Sequence, residues 1–64
     1  MNDLLKPLLD KEVEVRSISG NTAYRDEGKL VAYEERWIQI QTSSGETLLF
    51  PIANVRLLKP LYQS

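Results

Sequence analysis

Two adjacent carboxylate pairs, Asp26-Glu27 and Glu34-Glu35, come nearest in this chain to acid–base machinery. A pair that moves protons needs both groups aimed at one reacting atom. Neighbours along a strand or tight turn point apart, and no nucleophile accompanies either pair, so both read as solvated surface acids. The alternating oxygen ligands of a calcium loop are missing around Asp26 and Glu27. The chain has no histidine and no cysteine. That excludes imidazole catalysis, thiolate nucleophiles, disulfides and ordinary zinc sites. The expectation is a non-enzymatic protein with no cofactor, no metal and no small-molecule substrate.

Binding chemistry has firmer footing. Arg36 and Trp37 are followed by Gln39 and Gln41, so one side of a strand carries an indole and a row of amides while Ile38 and Ile40 take the other. An indole on a polar face is costly in water unless it packs on a neighbour or a partner. One reading packs Trp37 beside Tyr24 or Tyr33. The other makes it a stacking platform, with Arg36 supplying a planar cation against a base or a partner's ring. Arg16, Arg25, Lys29, Arg36, Arg56 and Lys59 are scattered among acids, and the net charge is -1. That balance argues against the broad positive footprint of a general nucleic-acid or membrane binder, while leaving a local patch open.

The elements that must hold these residues are short. Leu4, Leu5, Leu8 and Leu9 have helical spacing, with Asn2 or Asp3 as caps and Pro7 confining the helix to its first turns. From Glu12 the period becomes two, with Val13 and Val15 facing inward and Glu12, Glu14 and Arg16 outward. Ile18 is out of phase, so this strand bends, bulges or ends near Ser17. A turn at Ser19 to Asn21 leads to a strand from Tyr24 to Tyr33, in which Gly28, Leu30 and Ala32 share the inner face. Gly28 marks sharp curvature or a close backbone approach. Trp37 to Thr42 is the third strand, and Thr42 to Glu46 a hairpin turn with Gly45 left-handed. Thr47 to Phe50 returns, Pro51 to Asn54 makes one helical turn, and Val55 to Leu58 closes the set.

Leu48, Leu49 and Phe50 do not alternate, and Ile52 follows. A strand apolar on both faces is sandwiched within its own domain or joined to another subunit. A chain of 64 residues has little material for covering two faces. Self-association is the sharper reading. Its competitor is a monomer whose N-terminal leucines cover the excess.

Five short strands and tight turns, with a leading helix, predict a mainly β fold: a strongly bent antiparallel SH3-like barrel. The run Leu5, Leu8, Leu9, Lys11, Val13, Val15, then Ser19-Gly20 and Gly28-Lys29-Leu30-Val31-Ala32-Tyr33-Glu34, resembles the first motif of Sm-like proteins of the LSm and Hfq type. Phe50 to Leu58 is similar in outline to their second motif, so the resemblance covers nearly the whole chain. It implies an Sm-like barrel that forms a homo-oligomeric ring, the fourth strand of one subunit pairing with the fifth of the next. Leu48, Leu49, Phe50, Val55 and Leu57 would then lie at the subunit interface. It also implies single-stranded RNA as a partner, held at the loop before the third strand. The acidic position there is Glu34 and the stacking position Arg36 or Trp37. The family's base-reading Asn falls at Ile38, its basic residue at Pro51 and the following Gly or His at Ile52. Those departures imply weak or atypical RNA binding, and leave a protein-interaction or structural module without nucleic acid as the alternative.

One domain is expected, with residues 1–10 as helix, 12–58 as barrel and 59–64 as tail. No apolar run approaches the roughly 20 residues of a membrane span, and Asp3 stands where a secretory signal is basic, which reads as cytoplasmic.

Overall fold

A computed structural model of the chain describes residues 3–61. Five strands form one antiparallel sheet: β1 (Glu12–Ser19), β2 (Thr22–Tyr33), β3 (Trp37–Gln41), β4 (Thr47–Pro51) and β5 (Val55–Pro60), in the order β4-β3-β2-β1-β5. Consecutive strands pair as hairpins until β4. A single 3₁₀ turn, Ile52–Asn54, then carries the chain from one edge of the sheet to the other.

That short crossing forces curvature. Four Cα steps from Pro51 to Val55 reach at most about 14 Å at roughly 3.3–3.6 Å per residue, whereas a flat five-stranded sheet separates its outer strands by about 19 Å. The sheet must bend until its edges approach at that end. β4 and β5 nevertheless remain unpaired with each other. The fold is an open, bent five-stranded sheet, and its expected closure into a barrel is not made by hydrogen bonds.

Val13, Val15, Leu30, Ile38 and Ile40 form the buried core. Leu5, Leu8 and Leu9 from the N-terminal segment pack on it, with Tyr33, Leu48, Phe50, Val55 and Leu58. Burying so few side chains completely leaves little margin, since domains of this size rarely gain more than about 3–5 kcal/mol from one core. Gly28 faces Val13 in the β1–β2 register, and a Cβ built on it would stand 2.6 Å from both the Gln41 carbonyl oxygen and Ile40 Cγ2. The close approach read from this glycine is therefore present, and it permits β2 to bend over β3.

Other sequence expectations change as well. The N-terminal helix reduces to one 3₁₀ turn, Lys6–Leu8, with Pro7 in its first positions and no side-chain cap. Proline withholds an N–H and suits only the first turn, so nothing propagates beyond it. Asp10 at φ 66° then redirects the chain, its N–H donating to the Leu30 carbonyl at 2.7 Å. Ala32 is exposed rather than inward, because a register shift against β3 between Leu30 and Ala32 transfers the inner position to Tyr33. β5 continues to Pro60, two residues farther than expected. The rest of the tail, 62–64, lies outside the described residues, as does the proposed cap Asn2. The turns agree with expectation: Gly20 and Gly45 have φ of 62° and 90°.

Candidate nucleic-acid interface and sheet edges

Trp37 begins β3 opposite Pro51 of β4, and its alternation with the core residues Ile38 and Ile40 turns the indole to the outer face, 42% exposed. The preceding loop is tied at both ends. The Glu34 N–H donates to the Trp37 carbonyl at 2.9 Å, and the Ile52 N–H donates to the Arg36 carbonyl at 2.8 Å. Two shallow concavities flank the indole. One, about 260 Å³, is bordered by Tyr33, Glu34, Trp37, Gln39 and Leu49. The other, about 550 Å³, is bordered by Arg36, Trp37, Pro51 and Ile52.

The three residues expected at an RNA contact are thus adjacent but divided: Glu34 on one side of Trp37, Arg36 on the other. Tyr33 shares the first concavity with the indole, while Tyr24 stands on the distant β1–β2 hairpin opposite Ser17. The Tyr33 hydroxyl donates to both carboxylate oxygens of Asp3, at 2.5 and 2.6 Å. That hydrogen bond, reinforced by partial desolvation, holds the phenol pKa above its ordinary value. Asp3, considered as a helix cap, is instead a tether between the N-terminal segment and β2. Ile38, where the resembling family has a base-reading Asn, is a core residue 2% exposed. Its buried, apolar side chain offers a base no hydrogen bond.

The edge residues sort by face. Leu48 and Phe50 pack on the core, whereas Leu49 points outward and is 59% exposed, opposite Gln39. Pro51 and Ile52 extend this outer apolar strip beside Trp37. On the other edge Val55 and Leu58 pack on the core, and Leu57, opposite Arg16, is half-buried on the outer face. The segment from Leu48 to Ile52 is therefore incompletely covered within one chain.

Glu27 accepts from Arg25 Nη2 at 2.9 Å, and among the described residues no group of three or more potential ligands is placed to hold a metal. No helix of the described residues is long and apolar enough to cross a membrane.

One polar feature was not anticipated by alternation alone. Glu14, expected on the solvated face, has a side chain only 3% exposed. Arg16 Nε lies 2.6 Å from one of its oxygens and Arg25 Nε 3.0 Å from the other. Hydrogen bonding from Arg16, then Arg25, holds its carboxyl below the ordinary range despite the opposing effect of burial. The readable signal was the Glu-x-Arg spacing of Glu14 and Arg16, which shares one face of a strand; the pairing of β1 with β2 supplies Arg25 directly across from Arg16.

Comparison with protein-family models, with curated proteins and with solved structures finds no match to this chain.

Proposed function

We propose that this chain is an Sm-like module that assembles through its sheet edges into a homo-oligomer and binds single-stranded RNA weakly at the outer face around Trp37. The observation that carries this reading is the exposed indole at the start of β3, set between the Arg36 and Glu34 concavities and continuous with Leu49 on the edge strand β4, whose outer side has no partner strand. An aromatic face stacks on any base, and a neighbouring guanidinium adds cation–π and phosphate contacts. The absence of an amide at position 38 removes base discrimination from this loop, so binding is tolerant of sequence.

Assembly supports the same reading from a different direction. β4 carries no charged residue and is apolar on both faces, whereas β5 carries Arg56 and Lys59. An uncharged open edge invites a further strand. Pairing β4 of one copy with β5 of the next continues the sheet and completes a barrel between molecules, through a head-to-tail contact that repeats around a ring.

Titration of fluorescently labelled single-stranded RNA at low and moderate salt tests the binding. Saturable binding that weakens as salt rises supports it, because phosphate neutralisation releases counterions. No signal at low salt overturns it and favours a protein-interaction module.

A further inference from the structure

We propose that the outer face of β1, β2 and β5 holds a second, phosphate-directed contact for single-stranded nucleic acid, formed by Arg16, Arg25 and Arg56 and positioned by the buried carboxylate of Glu14. This extends the RNA-binding reading from the Trp37 end of the outer face to a separate concavity on β1, β2 and β5, and its test separates the two.

Arg16 and Arg25 sit directly opposite each other in the β1–β2 register, as do Ile18 and Ala23 one step along the same face. A concavity of about 370 Å³ is bordered by these four residues and by Arg56, at the point where β5 slips register against β1. That volume is at the small end of ligand-binding clefts, which run roughly 300–1,000 Å³. Like charges directly across a ladder destabilise it. Glu14 offsets this by accepting from Nε of both arginines, one on each carboxylate oxygen.

The choice of nitrogen matters. With Nε occupied, the guanidinium plane is fixed and the Nη donors are left for another acceptor. Among the described residues no protein partner engages the Nη atoms of Arg16, and none pairs a carboxylate with Arg56. Glu27 takes one Nη of Arg25. Across the whole face Arg16, Arg25, Lys29, Arg56 and Lys59 outnumber Glu12, Glu14 and Glu27, although the chain as a whole is acidic. Oriented forks match phosphate oxygens in a bidentate manner. Ile18, 43% exposed, and Ala23 offer an apolar floor beside them, suited to the sugar and base that flank a phosphodiester.

The test compares Arg56→Gln, Glu14→Gln and Trp37→Ala with the unaltered chain, titrating a labelled single-stranded RNA across a salt series, with polyglutamate as competitor and circular dichroism as a check on folding. Arg56 is exposed and makes no ion pair among the described residues, so its replacement preserves the fold. The expected result for Arg56→Gln is binding weakened by about 5-fold at low salt, with the slope of log K against log salt shallower by about 0.7, the value for one phosphate contact to a single strand. Glu14→Gln, if folded, weakens binding by disordering both forks although it removes a negative charge. Simple electrostatics predicts the reverse, and tighter binding would overturn the positioning role. An unchanged salt slope in Arg56→Gln overturns the phosphate contact, and loss of binding in Trp37→Ala alone would then leave the Trp37 reading standing. Loss in Arg56→Gln with none in Trp37→Ala supports this contact and removes the other. Displacement of RNA by polyglutamate at equal charge concentration assigns the face to an acidic protein and overturns the nucleic-acid assignment.

Discussion

Gly28 of β2 lies so close to Gln41 of β3 that a Cβ at position 28 would stand 2.6 Å from the Gln41 carbonyl oxygen. Side chain at one position and backbone at the other exclude each other, and the contact sits where Val13 opposes Gly28 at the centre of the core. The close packing of β2 on β3 at this point depends on this missing methyl group.

Gly28→Ala is accordingly destabilising by about 1–3 kcal/mol, the usual cost of forcing an extra methylene into a packed core. Thermal unfolding followed by circular dichroism checks this, with a fall of roughly 4–8 °C per kcal/mol for a domain of this size. Gly20→Ala and Gly45→Ala act differently: nothing lies within 4 Å of a Cβ there, and the cost is purely that of a positive φ.

Trp37→Ala leaves the fold intact, because the indole lies outside the buried core. It is expected to cost about 1–3 kcal/mol of RNA affinity, the range for loss of one base–aromatic stack. Fluorescence anisotropy reads the affinity and circular dichroism the fold. Unfolding of the variant would reassign Trp37 to a structural role.

Glu14 gives the chain an acid-side dependence. Its carboxyl titrates below its unfolded value because Arg16 and Arg25 hydrogen-bond the ionised form. The stabilisation is present in full above the ordinary Glu range near about 4.3 and is lost as pH falls toward the depressed folded value. Glu14→Gln is expected to lower the melting temperature at neutral pH and to approach the unaltered chain as pH falls below about 4. A constant gap between the two melting curves across that window would show that the carboxylate is not the stabilising group.

Tyr33→Phe removes the donor to Asp3 while keeping the ring on the core. Faster amide exchange at Leu8, Leu9 and Lys11, whose N–H groups donate within this first segment, is the expected outcome. Exchange in the β1–β2 ladder is expected to stay unchanged.

Period-two alternation made most of the fold legible. Val13, Val15, Leu30, Ile38 and Ile40 were readable as inward residues, and Gly28 as a close approach, because each follows from local spacing or from the cost of glycine in a strand. Ala32 was misplaced since a register shift is a property of two strands together, and nothing in the β2 sequence announces it. The leucines of the N-terminal segment have helical spacing, yet Pro7 and the turn at Asp10 limit them to one 3₁₀ turn that still delivers Leu5, Leu8 and Leu9 to the core. At the candidate site, Trp37 was legible as an indole on an amide-rich face. The burial of Glu14 was not, because it requires an arginine brought from β2, eleven residues away in the chain.

The incomplete cover of β4 bears most directly on assembly, and molar mass by light scattering from low to high micromolar protein measures it. The expected result is a mass several times that of the 7.4 kDa chain, stable or growing with concentration. A mass of 7.4 kDa throughout the range would show that one copy suffices, and that the open edges of β4 and β5 are not joined by neighbours.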